Sequence, residues 1–422
     1  MNLFQACIRG DSREAITELK KTVSSGQPEA LWATMMHTAA WHEEREFDTP
    51  HSTIITYAIH RMIEDLGINA KLLDEQPKQS KMDLPDEFSE DLQLALIQRL
   101  TVHLSEIDHW TSDKGPRYDY EPKVDSLDNV LHAYALAIRK HSHLAAFQEA
   151  LTLANEEDPI RFIRRTVTLA AEDADRLGHA FIMPMSLVTE LPTSRFSFPH
   201  RAVLWHLTEY LVGKVPSNKP DGLPAEKDFR TLAKSSSLKE YMNLIATSTI
   251  NYGILGHNAI FAHRIVEASQ RGLINQNTTE WLLNRLKQNI AVDILDDEEY
   301  QLDHLLTKQK GTDWETVPSR IELPHSQRVR DWLSENTNGY WSLMMDLKSN
   351  TFEKVIQNIS DDEWDRVRAA QYAMCTINGA ERASHVVIFT QALWSLADKN
   401  LISRPLALLQ VHRMLRQYLK GR

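Results

Sequence analysis

TPHSTIITYAIH, Thr49 to His60, places a histidine directly after a proline and ahead of an apolar run. Pro50 is a good helix opener, and the residues three and four beyond His51 are Ile54 and Ile55. On a helix these share the face of His51, so the imidazole points toward the core from the first turn. The arrangement returns at FPHRAVLWHLTEYL, LGHNAIFAHRIVEA and ASHVVIFTQALWSL, around His200, His257 and His385. Their partners three and four residues on are Val203 and Leu204, Ile260 and Phe261, and Ile388 and Phe389. The residues before them, Pro199, Gly256 and Ser384, are also suited to opening a helix.

Outward from these four segments the same periodicity continues. EALWATMMHTAAWHEE, DLQLALIQRLTVHL, LDNVLHAYALAIRK and PLALLQVHRMLRQYL all space apolar residues three and four apart, and period-two alternation is almost absent. The expected fold is all-α, a bundle of roughly fifteen helices estimated from average helix length, with the histidine-bearing helix starts converging on an internal pocket. Chain breaks fall at 69–85, 111–123, 214–237 and 310–324, where Pro, Gly, Lys, Asp and Ser concentrate. The expectation is one large domain over 1–422, with a two-lobe division near 214–237 as the alternative. In the first 50 residues two helices are expected, the first capped by Ser12. The four histidine motifs are irregularly spaced, which is not the fixed period of a solenoid.

Composition excludes several function classes. With 42% hydrophobic residues the chain can build a core, but a net charge of −11 with scattered Lys and Arg provides no phosphate-neutralising surface, so no nucleic-acid partner is expected. No run approaches the roughly 18 apolar residues of a membrane span, and MNLFQACIRGDSREA lacks the apolar core of a secretory signal, so a cytoplasmic protein without a membrane partner is expected. Cys7 and Cys375 stand far apart without metal-site spacing and read as packed thiols. Neither G-x-G-x-x-G nor G-x-x-x-x-G-K-[ST] occurs, and there is no G-x-S-x-G elbow.

The chemistry therefore rests on the histidines. Chance would give the apolar pattern to about three of the 18 histidines, and nine show it, among them His37, His132, His141, His143 and His179. A first-turn histidine meets the positive end of the helix dipole, and burial also disfavours imidazolium, so such a group stays neutral at pH 7. Neutral imidazole ligates a metal, accepts a proton or donates one hydrogen bond to a developing oxyanion. His51, His200, His257 and His385 are thus the candidate catalytic residues. Tyr57, His60, His206, His263 and Gln391 recur on the same helices as candidate substrate-binding groups, with Glu209 beside His206. The Glu-x-x-His pairs Glu106/His109 and Glu322/His325 provide only a poor di-iron set. In WHEEREFD, Trp41 to Asp48, a carboxylate could join a metal, although such a charge run is more often a solvated helix end.

The helix openings PHSTIITYAIHRMI, LGHNAIFAHRIVEA and SHVVIFTQALWSLA, and more loosely FPHRAVLWHLTEYL, resemble the questin oxidase-like family, whose members carry such histidines on successive helices. Together they cover about a seventh of the chain. The resemblance implies an oxygen-dependent oxidoreductase acting on a hydrophobic aromatic or acyl small molecule, by a Baeyer-Villiger-type ring opening in the fungal members, with the four histidines lining its pocket. The cofactor is open, with a histidine-bound metal or NADPH as the candidates. Similar domains occur beside Rieske ferredoxins; the Rieske Cys and His pairs are absent here, so an iron-sulfur partner would be a separate protein. Arg264 departs from the pattern, standing where the other motifs have an apolar or small residue. The alternative is a non-catalytic helical scaffold or ligand-binding protein in which the histidines are structural hydrogen-bonding pegs.

Overall fold

The computed structural model describes residues 2–24, 31–43, 51–67, 80–154 except 112, 118 and 124, 160–173, 178–190, 198–223, 238–290, 327–337, 340, 356, 358–376 and 383–418. Among these residues the chain is all-α, with seventeen α-helices and no strand. An isolated antiparallel bridge joins His42 to His109. The first helices are α1 (Leu3–Ile8), α2 (Ser12–Ser24), α3 (Leu31–Ala40), α4 (His51–Asp65) and α5 (Asp86–Glu106). The next are α6 (Leu127–Arg139), α7 (His143–Ala154), α8 (Ile160–Ala170), α9 (His179–Glu190) and α10 (Phe198–Lys214). There follow α11 (Met242–Ile250), α12 (His257–Gln270), α13 (Gln276–Asn289) and α14 (Gln327–Asn336). The last three are α15 (Trp364–Met374), α16 (Ala383–Asp398) and α17 (Arg404–Tyr418).

The N-terminal segment differs from the sequence expectation. Three helices, not two, precede residue 41, the additional one being the single-turn-and-a-half α1. Asp11 rather than Ser12 caps α2, its carboxylate accepting the N–H of Glu14 at 2.9 Å. A charged acceptor at the positive end of a helix gives the stronger bond, which is why Asp11 takes the position.

Four helices make the centre. α4 packs on α9, α9 on α12, α12 on α16 and α16 back on α4, which closes a ring. α4 and α12 are buried along most of their length: α4 buries Ile54, Ile55, Ile59 and Ile63, and α16 likewise buries Val387, Phe389, Leu393 and Trp394. α5 lies outside α4, with α2 packed on its other side.

Two glycines set how closely the ring closes. Gly178 and Gly256 immediately precede His179 and His257, with φ of +73° and +85°, the left-handed region that only glycine adopts without strain. A Cβ on Gly178 would lie 2.6 Å from Phe261 of α12, and one on Gly256 would lie 2.4 Å from Phe389 of α16. Each phenylalanine stands four residues after the histidine of its own helix. The start of one ring helix is thus seated against the first turn of the next. Gly256→Ala is expected to destabilise the fold by about 1–3 kcal/mol, through backbone strain and overpacking together. Urea denaturation measures this, and Phe389→Leu added to Gly256→Ala should recover part of the loss; an unchanged midpoint in the single variant would show that the contact is soft.

Candidate metal centre

Each ring helix presents a histidine at its start: His51, His179 and His257 are the first residues of α4, α9 and α12, and His385 is the third of α16. One ligand nitrogen from each lies within 4.8 Å of all the others. The rings meet edge to face in the order of the helices, with centroids 5.5 Å apart for His51 and His179, 4.4 Å for His179 and His257, 5.1 Å for His257 and His385, and 4.4 Å for His385 and His51. His257 and His385 are buried, at 3% and 5% exposure.

The donor set fits a metal ion. Nitrogens bound at 2.0–2.1 Å to one ion stand about 3.4 Å apart in a tetrahedral shell and about 4.2 Å apart across a square one, so the four nitrogens, now within 4.8 Å, reach one centre by a contraction of about 0.5–1.5 Å at the widest separation. The Nε2 atoms of His179 and His257 face each other at 2.6 Å, sharing one proton where both lone pairs would otherwise meet. The Nε2 of His51 is buried without a hydrogen-bond partner among the described residues, and an orphaned buried donor or acceptor is uncommon in a folded protein. Burial, reinforced by His257 and His42, holds the His51 imidazole down at about 3. Burial, with His257 and His51, holds His179 at about 2. Both are therefore in the neutral, ligating form at any physiological pH.

Three of the four sequence candidates, His51, His257 and His385, come together here. His200 lies in the first turn of α10, outside the four-helix ring, and its side chain lies outside the described residues. The fourth member is His179, which shares the apolar spacing of the others and, like His257, follows a Leu-Gly pair. That repeated Leu-Gly-His was the signal available in the sequence.

The candidate substrate-binding groups are placed elsewhere. Tyr57, His263 and Gln391 each follow a cluster histidine by six residues, about 9 Å of helix rise, and line a polar cleft further along α4, α12 and α16. There the Tyr57 hydroxyl donates to Glu267 Oε1 at 2.6 Å, and His263 Nε2 and Ser395 Oγ share a hydrogen bond of 2.9 Å. Arg264, the departure from the motif, is fully buried, pairs with Glu267 at 3.0 Å and lies 3.8 Å over the Tyr57 ring. Burial works against ionising Glu267, but Arg264 and His263 outweigh it and hold the carboxyl at about 2. His60 stacks on Trp32 with centroids 4.2 Å apart.

His206 is buried on α10 with neither ring nitrogen hydrogen-bonded among the described residues. Burial, then His42 and His143, holds it at about 3. Glu209, one turn on, is pushed up to about 7 by burial and by Glu43. In the alternative di-iron pairs, His109 Nε2 is engaged by the Leu104 carbonyl at 2.7 Å, and Glu322 and His325 lie outside the described residues. So does most of the acidic run, residues 44–48. Both cysteines are buried free thiols, each pushed up to about 12 mainly by burial. No helix among the described residues is long and apolar enough to cross a membrane. Comparison with protein-family models, curated proteins and solved structures returned no match.

The neutral histidines also dictate a pH response. His51, His179 and His206, together with His103, which burial and then Arg99 hold at about 3, all have folded values far below the usual 6.5. Between about 3 and 6.5 the unfolded chain binds protons that the folded chain does not, so stability is complete above 6.5 and falls as pH drops through that window. Each such histidine contributes up to about 1.4 kcal/mol per pH unit. Urea midpoints of metal-free protein at pH 8, 6.5 and 5 should decline steeply over the last interval, and His206→Phe should shallow the slope by about one proton. A midpoint independent of pH between 7 and 5 would contradict the neutral cluster.

Proposed function

We propose that the chain is an oxidoreductase whose histidines His51, His179, His257 and His385 hold one transition-metal ion, and whose substrate is a hydrophobic aromatic or acyl molecule. The observation that carries this is the convergence of four imidazoles from four separate helices within 4.8 Å, two of them, His51 and His179, held neutral by burial. The buried Nε2 of His51 has no hydrogen-bond partner among the described residues, a cost that a shared ion removes. Imidazole donors suit iron, copper, zinc and nickel. The resemblance of three of these helix openings to the questin oxidase-like family points to oxidation with dioxygen rather than to hydrolysis.

The chain's own contribution is to hold the donors and keep water away. Burial keeps His51 and His179 deprotonated, the Gly178 and Gly256 contacts fix the helix starts, and the surrounding core is apolar. When bound, the ion would supply Lewis acidity and electron exchange. A separate protein would supply electrons if the reaction needs them.

A second reading has its own support: four nitrogens can complete a tetrahedral shell, as structural zinc sites do, which would make the ion a clasp in a non-catalytic scaffold. Elemental analysis and absorbance of natively purified protein test both. One ion per chain is expected, falling at least tenfold in His179→Ala and His257→Ala but not in His60→Ala; metal-free wild-type protein would sink both readings. Azide separates them. A change in the metal's spectrum on adding azide shows an open coordination position and supports the oxidoreductase, whereas stoichiometric zinc without an exchangeable ligand supports the clasp.

A further inference from the structure

A cleft of about 650 Å³ runs along the α2–α5 contact, remote in character from the polar cleft described above. Its walls include the apolar side chains Ile16, Leu94, Ala95 and Val102, and Arg99 of α5 lines it from beneath. Arg99 is 6% exposed, and its Nε is buried without a hydrogen-bond partner among the described residues. No described residue forms an ion pair or a hydrogen bond with its guanidinium. Glu106 and the Cys375 thiol act on it electrostatically, against the dominant effect of burial, but neither reaches it. A guanidinium so placed is a costly arrangement, since buried arginine is ordinarily paired through its five donors.

The other charges of the cleft reinforce the need for an anion. Arg13 and Lys20 stand exposed at its rim on α2. Its one acidic residue, Asp91, is already engaged by Arg328 of α14 at 3.5 Å. In the polar cleft, by contrast, the charges satisfy one another: Arg368 pairs with Asp65 and Asp398, and Glu267 with Arg264. There the charge is internal to the fold. At Arg99 no counter-charge stands among the described residues.

We propose that the α2–α5 cleft binds an amphipathic organic anion, a carboxylate or comparable oxyanion attached to an apolar body, with Arg99 receiving the charged group. The planar guanidinium takes such a head group through two parallel N–H donors. Ile16, Leu94 and Val102 cover the apolar part, and Ser12, Gln98 and Thr376 offer secondary polar contacts. The volume is that of a site for a small organic molecule. This assignment does not depend on the metal centre, although α5 separates the two. His103 lies one turn beyond Arg99 on the same face, and both Arg99 and His51 depress its protonation.

The test is calorimetric titration of the full chain with octanoate, 2-naphthoate, octanol and inorganic phosphate. Octanoate or 2-naphthoate should bind one per chain, at least tenfold more tightly than phosphate, and octanol should not bind measurably. Arg99→Met should weaken carboxylate binding at least tenfold and Arg99→Lys less, with a two- to threefold loss for Lys20→Gln. The melting temperature of ligand-free protein provides an independent check, because removing an uncompensated buried charge should raise it or leave it unchanged. Equal binding of octanol and octanoate, or carboxylate affinity unaltered in Arg99→Met, would overturn the proposal. So would a lowered melting temperature in Arg99→Met together with no carboxylate binding below about 1 mM, which would make Arg99 a structural ion. Metal content is read separately in the same preparations, so failure of this site and failure of the metal centre are distinguishable.

Discussion

The structure depends on four helix starts meeting at one point. Helices normally end at the surface, where water satisfies the orphan N–H groups of the first turn. Here α4, α9, α12 and α16 begin at one cluster, and α4, α12 and α16 run on from it to a common cleft. Such convergence brings the positive ends of four helix dipoles close together, an arrangement that repels any cation on its own. Only groups that remain neutral or carry negative charge are comfortable there. Imidazole held in its neutral form meets that condition while still offering a lone pair, and the desolvation that keeps His51 and His179 near 3 and 2 is the same burial that joins the helices.

Further along the same helices the problem is reversed, because charges are present and must be matched. Arg264 would be a severe liability if unpaired, since its side chain is fully buried. Glu267 answers its charge, the Tyr57 ring covers its face, and the Tyr57 hydroxyl bonds the same carboxylate. Nearer the ends of α4 and α16, Asp65 and Asp398 enclose Arg368, which reaches in from α15 and also donates to the Tyr372 hydroxyl at 2.8 Å. The Arg368 pairs link α4, α15 and α16, widely separated in sequence, and because breaking one side strands the other charge, they fix register more than they add stability. The ring is therefore held at two levels, by aromatic packing against glycines at the histidine end and by ion pairs at the other.

Much of this was legible in the sequence, and the part that was not has a definite cause. Three-four periodicity identified helical segments throughout and the all-α class, because it reports directly which face of an element must be dry. The helix-opening residues put His51, His257 and His385 in first turns facing inward, and all three are cluster members. Periodicity cannot say which helices meet, however. His200 satisfies the same local rule on α10, which the fold places outside the ring, and His179 satisfies it on α9, which the fold places within. Tyr57, His263 and Gln391 share helices with the cluster but are displaced along the axis, a separation that the sequence carried in their common offset of six residues. Arg264 looked like a departure from a motif because its partners were visible only in three dimensions.

The electrostatics of the centre also bear on what it would do with an ion. Four imidazoles supply no negative charge, and the converging helix dipoles add positive potential, so a divalent ion there would be under-compensated. Two consequences follow from that imbalance. The lower oxidation state of a redox-active metal is favoured over the higher, because each added positive charge is opposed by the same field. An anionic ligand or a substrate that develops negative charge on oxygen is drawn to any open position, because it relieves the imbalance that the protein leaves in place. A carboxylate ligand from the protein would cancel both effects, and none of the described carboxylates joins the cluster. The proposed Arg99 cleft follows the same logic: a buried positive charge retained without a counter-ion among the described residues makes sense where the counter-ion arrives with the ligand.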